Sequence, residues 1–380
     1  MTDSQTQDLR DELADRDQTN GWTGGQYSLY RVLLAVGGLG VLLASSTGWR
    51  GSVSVVDWLR LPPAMHDALP WSFGLLLVLV AIGWFDRIAA AVAVVLALGL
   101  GSEPLSHLLI LLLIAHALTA ARPYGSIGAL GRSDPGGGWK RANWNLGIVA
   151  FGPIRFGVIV VSLLTGGALT RDVSFLIALI TAVMVPFCAA LRKACAAFWL
   201  FALMCLVSIY LGDYEDSLSS ILELPLLLLL AVAMFDPSWI PARRGKQPEV
   251  IYYDGECGLC HRTVRFLLAE DRTGDGFRFA TLQSDHFAQG VSENERRDLG
   301  DSVIVRTADG RLLQRSDAVV RILLVLGGFW RVIGSAFWCV PRPLRDAAYD
   351  LLARLRKRLF AQPKNLCPMM PPELGVRFLP

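Results

Sequence analysis

Two regimes of hydrophobic patterning divide the chain. Between Tyr27 and Phe235 apolar residues run in blocks with sparse ionised side chains, whereas residues 241–380 mix short apolar runs with frequent charges. A helix that crosses the hydrocarbon of a bilayer needs roughly 17–25 mostly apolar residues. Such blocks predict spans at Tyr27–Ser46, Trp71–Phe85, Ile88–Leu100, Leu105–Ala120, Leu146–Leu164, Val173–Ala190, Ala194–Leu211 and Ser217–Phe235. Only Asp86 and Arg87 separate the second and third, which form either a tight hairpin or one long tilted helix. The expected bundle therefore has about eight helices, or seven.

After Phe235 the pattern changes. FDPSWIPARRGKQPE carries prolines and a basic run that end the last helix and begin a linker. EVIYYDG then reads as a strand, GECGLC as a tight turn, and HRTVRFLLAED as a helix with Val264, Leu267 and Leu268 at helical spacing. Thr307-Ala308-Asp309-Gly310 reads as a hairpin turn between VIVR and LLQR. Arg278 and Phe279, and Ser316 and Asp317 before the next apolar helix, are expected at turn and cap positions. Ile322–Val340 is long enough to span, but Gly327-Gly328 splits it into a predicted helical hairpin. In the helix that follows, Leu344, Ala348, Leu351, Leu352, Leu355 and Leu359 form a stripe opposite Arg345, Arg356 and Arg358. Such a helix either packs its stripe into a core, with a solvated basic face, or lies against anionic lipid.

Composition agrees with a membrane chain. Of 380 residues 53% are hydrophobic and 18% charged, below the roughly one quarter charged in soluble domains. The net charge of +3 gives no argument for nucleic acid. Residues 1–26 have no apolar signal region and read as a polar arm. The expected organisation is this arm, a helical membrane domain over 27–235, a linker over 236–248 and an α/β domain over 249–380. Lysines and arginines collect in the arm and in the connections at Arg122–Arg141, Arg192–Lys193 and Arg243–Lys246, with Arg50, Arg60 and Arg171 on the other side. The positive-inside rule then places the C-terminal domain in the cytoplasm for either helix count.

Charges within spans are candidate functional groups. Arg155 lies near the centre of its span beside Pro153 and needs an anionic partner or a polar ligand; Glu223, ahead of Pro225, is the candidate partner. Arg31, one turn into the first span, is expected to snorkel to the headgroups. His107 and His116, nine residues apart, fall on opposite faces of a helix and are not expected to share a metal.

Cys188, Cys195 and Cys205 read as small core hydrophobes. Cys257 and Cys260 form a C-x-x-C pair at a predicted helix N-terminus. Only the thiolate attacks a disulfide, and the partial positive charge and free N–H groups of a helix start favour an anion. Cys257 is the expected nucleophile and Cys260 the resolving thiol. His261 adds charge beside the pair or meets solvent. Asp254 relays a proton for the buried thiol or accepts N–H bonds in the turn. A structural zinc site needs four ligands, and Cys257, Cys260 and His261 lack a second pair. A phosphatase reading of Asp254-Gly255-Glu256 lacks a second aspartate. The plain alternative is a thiol pair kept for packing.

DGECGLC, set between a strand and an arginine-bearing apolar helix, resembles the DCC family of thiol-disulfide oxidoreductases, whose Asp, Cys, Cys signature matches Asp254, Cys257 and Cys260. The likeness runs on through FRFATLQSD, DSVIVRTADGRLLQRSDAVVRILLVLGG, VPRPLRDAAYDLLARLRKRLF and a late cysteine, Cys367. It implies a thioredoxin-like α/β domain, although no proline precedes DSVIV where thioredoxins place one facing the dithiol. Over residues 20–241, YSLYRVLLAVGGLGVLL and LLLLLAVAMFDPSWIP resemble the HTTM domain shared with vitamin K-dependent γ-carboxylases; a smaller, DoxX-like module is the competing likeness. No lysine stands where a carboxylation base would be needed, so that activity is not expected.

The resulting expectation is a membrane-anchored oxidoreductase in a bacterial inner membrane, its dithiol facing the cytoplasm. It needs no cofactor beyond the Cys257–Cys260 couple, with a quinone or lipid as a further ligand near Arg155. Its partners are the bilayer and a disulfide-bearing protein or small molecule, not nucleic acid. Cys367 is a possible relay. The other function class is a transporter or scaffold whose dithiol senses redox state.

Overall fold

The computed structural model describes residues 22–45, 63–100, 104–119, 122–136, 237–271, 273–299, 302–359 and 371–380, with scattered positions between 225 and 235. The chain divides into two compact units. One comprises Tyr27–Gly128 and Trp139–Phe235; the other comprises Met1–Gln26, Ala129–Gly138 and Asp236–Pro380.

The described part of the first unit is helical: α1 (Gly24–Ser45, opening in the other unit), α2 (Pro63–Ile82), α3 (Asp86–Leu100) and α4 (Pro104–Ala117). Among the described residues one stretch, Gly24–Leu43 of α1, is long and apolar enough to cross a membrane. Between α2 and α3 the chain turns back through positive φ at Gly83 and Phe85. The hairpin alternative therefore holds over a single long helix.

Arg31 corrects its expectation. Its side chain is buried, with Nη1 3.3 Å from Asp86 Oδ2, and Nη2 donates to the Ala81 and Gly125 carbonyls at 3.4 Å. Asp86, at the start of α3, supplies a buried anion that removes any need to reach headgroups. Gly83 makes room for this pair, since a Cβ there would lie 2.3 Å from Arg31 Nη1. His116 Nδ1 is bonded to the Tyr27 hydroxyl, which lies 3.0 Å from Thr119 Oγ1. Arg155, Glu223 and Cys367 lie outside the described residues, as do the spans at Leu146–Leu164, Val173–Ala190 and Ala194–Leu211.

In the second unit the order is β1 (Glu249–Tyr253), α5 (Gly258–Glu270), β2 (Phe277–Thr281), α6 (Asp285–Gly290), α7 (Glu293–Asp298), β3 (Ile304–Arg306), β4 (Leu312–Gln314), α8 (Arg315–Leu326), α9 (Gly328–Cys339), α10 (Arg342–Leu359) and α11 (Pro372–Gly375). The sheet order is β2-β1-β3-β4, with β1 parallel to β2 and the other pairs antiparallel. Because successive strand residues face opposite sides, two cores form. Ile251, Tyr253, Phe277, Phe279 and Val305 pack with Cys260, Val264 and Leu267 of α5 and Ile322 of α8. Tyr252, Ala280 and Ile304 pack with Phe287 and Val291 on the other face. This small mixed sheet with helices fits a thioredoxin-like domain.

Several local expectations change. Arg278 and Phe279 belong to β2, where Phe279 is fully buried. Gln314, not Ser316, stands at the N-cap of α8, and the Ser316 hydroxyl donates to the Asp346 carboxylate instead. The turn at Thr307–Gly310 and the break at Gly327 between α8 and α9 form as the sequence predicts. Trp22–Gln26, read as part of a polar arm, are buried within this unit. Gly25 N–H donates to Glu270 Oε1 at 2.7 Å, Thr23 Oγ1 donates to Glu270 Oε2, and Trp22 packs edge-on against Phe329.

Candidate active site

Strand β1 ends at Tyr253 and delivers the chain into a turn that is closed by its own aspartate. Asp254 Oδ1 accepts the Glu256 N–H at 2.9 Å, and Asp254 O accepts the Cys257 N–H at 3.2 Å. Gly255 fits closely against Thr281 and Gln283, and its N–H lies 3.4 Å from Gln283 Oε1. The turn is thus set by local hydrogen bonds and by the end of β2, the strand parallel to β1.

Cys257 is the N-cap of α5, with extended backbone (φ −93°, ψ 115°), and its Sγ accepts the Cys260 N–H at 3.4 Å. The cap position is one that a sulfur fills in place of the usual hydroxyl or carboxylate oxygen. Both cysteines are free thiols. Their exposures differ: Cys257 is half-buried at the rim, whereas Cys260 is 7% exposed and packs with Tyr253, Val264 and Val303. An accessible sulfur thus stands a single helical turn from a sheltered one.

His261 holds the turn from behind. Its Nε2 lies 2.7 Å from the Gly255 carbonyl; a carbonyl only accepts, so Nε2 carries the proton there. The His261 N–H donates to Cys257 O at 3.1 Å, and its ring stands edge-on to Tyr253 at 5.8 Å. The sequence-level candidates Asp254, Cys257, Cys260 and His261 therefore share one turn. Asp254 is engaged in closing it.

Other residues contribute that no local pattern marked. Val303 shares the core cluster of Cys260, and its N–H donates to the Tyr349 hydroxyl of α10 at 3.0 Å. Glu270, at the far end of α5, is buried and accepts from Trp330 Nε1 at 2.6 Å in addition to Thr23 and Gly25. Burial pushes its carboxyl pKa up, against the lowering effect of the bonds from Thr23, Trp330, Gly25 and Gln26. Register is the signal that finds Val303: continuing the β1–β3 pairing places it opposite Tyr253, one residue before the dithiol turn. Among the described residues no group of three or more His, Cys, Asp or Glu side chains is placed to hold a metal ion.

Comparison with known proteins agrees with this geometry. A family model described as DCC1-like thiol-disulfide oxidoreductase matches residues 251–362. The chain is 33% identical over 132 residues to uncharacterized protein YuxK of Bacillus subtilis (strain 168), a match covering 34% of this chain and 93% of that protein. No solved structure matches the chain. With the dithiol, its helix and the surrounding sheet all inside the matched segment, the chain belongs to the DCC1-like thiol-disulfide oxidoreductase family, whose catalytic domain forms its C-terminal third.

Proposed function

We propose that this oxidoreductase is attached to a membrane and reduces disulfides of a protein or small molecule through Cys257 and Cys260. The Cys257 thiolate attacks one sulfur of the substrate disulfide, forming a mixed disulfide and expelling the other sulfur as a thiolate. Cys260 then gives up its proton and attacks Cys257 Sγ. The Cys257–Cys260 disulfide forms, the second substrate sulfur leaves, and two electrons have passed from the dithiol to the substrate. Asp254, at the mouth of β1, is assigned as the group that takes the Cys260 proton. The observation that carries this reading is the half-buried N-cap position of Cys257 with Cys260 sheltered one turn beneath it.

Attachment is supported by the apolar stretch Gly24–Leu43. A cytoplasmic dithiol follows from the distribution of lysine and arginine among the connecting segments, and a reducing compartment keeps the resting pair as thiols, which sets the direction toward substrate reduction. The test is exchange between the full chain and an aromatic model disulfide. Cys257→Ser abolishes turnover, and Cys260→Ser accumulates a mixed disulfide on Cys257. A wild-type chain without exchange, or a Cys257→Ser chain with full exchange, overturns the assignment.

A further inference from the structure

Helix α10 is amphipathic in the sense opposite to a core helix. Its polar side docks on its own domain: Arg345 is buried and pairs with Asp317 at 2.6 Å, Asp346 accepts from Ser316, and Tyr349 accepts the Val303 N–H. These residues recur at spacings of one helical turn and define a single face. The opposite face carries the leucine stripe, and it is left open: Leu344 is 64% exposed, Leu351 59% and Leu352 45%. Helix α9 likewise exposes Val332 and Trp338, the latter 66% exposed. Large exposed apolar side chains gathered on two successive helices are of the kind that marks a protein or membrane contact.

Two observations choose the occupant. The chain that opens α1 is seated on α9: Trp22 packs on Phe329, and Gln26 lies against Gly328. The start of the stretch long enough to span a membrane is therefore held by α9, the helix that exposes Val332 and Trp338. Beside the leucines α10 exposes Arg354, whereas Arg342, also exposed, pairs with Asp317 at 3.2 Å and Asp346 at 3.5 Å. We infer that the exposed faces of α9 and α10 rest on an anionic bilayer, with Trp338 and the leucines at the headgroup–acyl boundary and Arg354 among lipid phosphates. The inference rests on the membrane-attached reading of α1, and it assigns the dithiol domain a fixed seat on the lipid surface instead of a free tether.

The test places a photoreactive benzoylphenylalanine at Leu351 in the full chain, with Asp309 of the β3–β4 turn as the control site. The chain is reconstituted in vesicles containing phosphatidylglycerol, irradiated, and analysed by mass. A lipid adduct is expected at position 351 and not at 309. Replacing phosphatidylglycerol by phosphatidylcholine is expected to lower the yield roughly fivefold, the effect of about one arginine near an anionic surface. A cross-link to a second copy of the chain, or no adduct while the chain resists carbonate extraction, overturns the lipid seat and leaves the anchor standing. Release of the chain by carbonate removes the anchor, and the lipid seat with it.

Discussion

Gly25 is the position at which the structure makes its most direct stability prediction. An alanine Cβ there would lie 2.6 Å from Glu270 Oε1, 2.8 Å from Cδ and 3.0 Å from Oε2. Flexible carboxylates normally step aside, but this one is buried and held by Gly25 N–H, Thr23 and Trp330. Retreat leaves the Gly25 N–H without its acceptor, a cost of about 1–3 kcal/mol for a buried group. Alanine in place of glycine in a helix returns up to about 1 kcal/mol, so Gly25→Ala is expected to destabilise the domain by roughly 1–2 kcal/mol. The decisive comparison is the same substitution in a Glu270→Ala background. With the carboxylate gone the clash is gone, and alanine at position 25 should become neutral or stabilising. The readout is the urea dependence of alkylation of Cys260, which is 7% exposed and reacts when the domain opens, followed by mass spectrometry. Equal destabilisation in both backgrounds would show that the two residues are uncoupled and refute the contact. Acid gives an independent check. Burial raises the native pKa of Glu270 above its ordinary 4.5, so the folded state binds this proton more tightly than the unfolded chain. Its stabilising contribution is full below the ordinary value and is lost as pH rises through the native one. Glu270→Gln should flatten that part of the stability profile.

Three further outcomes follow from the site and its supports. Asp271 is buried, accepts the Gly276 and Phe277 N–H groups, and pairs with Arg377 at 2.6 Å and Arg244 at 3.1 Å; Asp271→Asn is expected to cost about 3–5 kcal/mol in urea unfolding, because it strands the buried Arg377. Tyr349→Phe removes the acceptor for Val303 N–H and is expected to cost about 1–3 kcal/mol, read as faster hydrogen exchange at that amide. His261→Ala frees the Gly255 carbonyl and loosens the turn that positions Cys257; exchange with a model disulfide is expected to slow roughly two- to tenfold, the rate equivalent of one hydrogen bond, with little change in urea midpoint.

The dithiol was legible in the sequence because every part of it is local. Strand, aspartate turn, N-cap cysteine and amphipathic helix occupy Glu249–Glu270, and each step is decided by neighbours within a few residues. Long-range partners were not legible. Arg31 reads as a snorkelling cation until Asp86 is brought to it from 55 positions away, and Glu270 reads as the polar end of a helix until Gly25 arrives from 245 positions away. Helix α10 shows the limit most sharply. Its periodicity announces two faces, and hydrophobicity alone would turn the leucines inward. The direction is set instead by Asp317, Ser316 and the Val303 N–H, which offer buried polar partners to Arg345, Asp346 and Tyr349. A buried arginine stranded without its aspartate costs about 3–5 kcal/mol, enough to offset about two leucines left at a surface at roughly 1.5–3 kcal/mol each. For this chain, then, a hydrophobic pattern fixes how a helix is striped, while the placement of a few charges decides which stripe docks on the domain and which is left exposed.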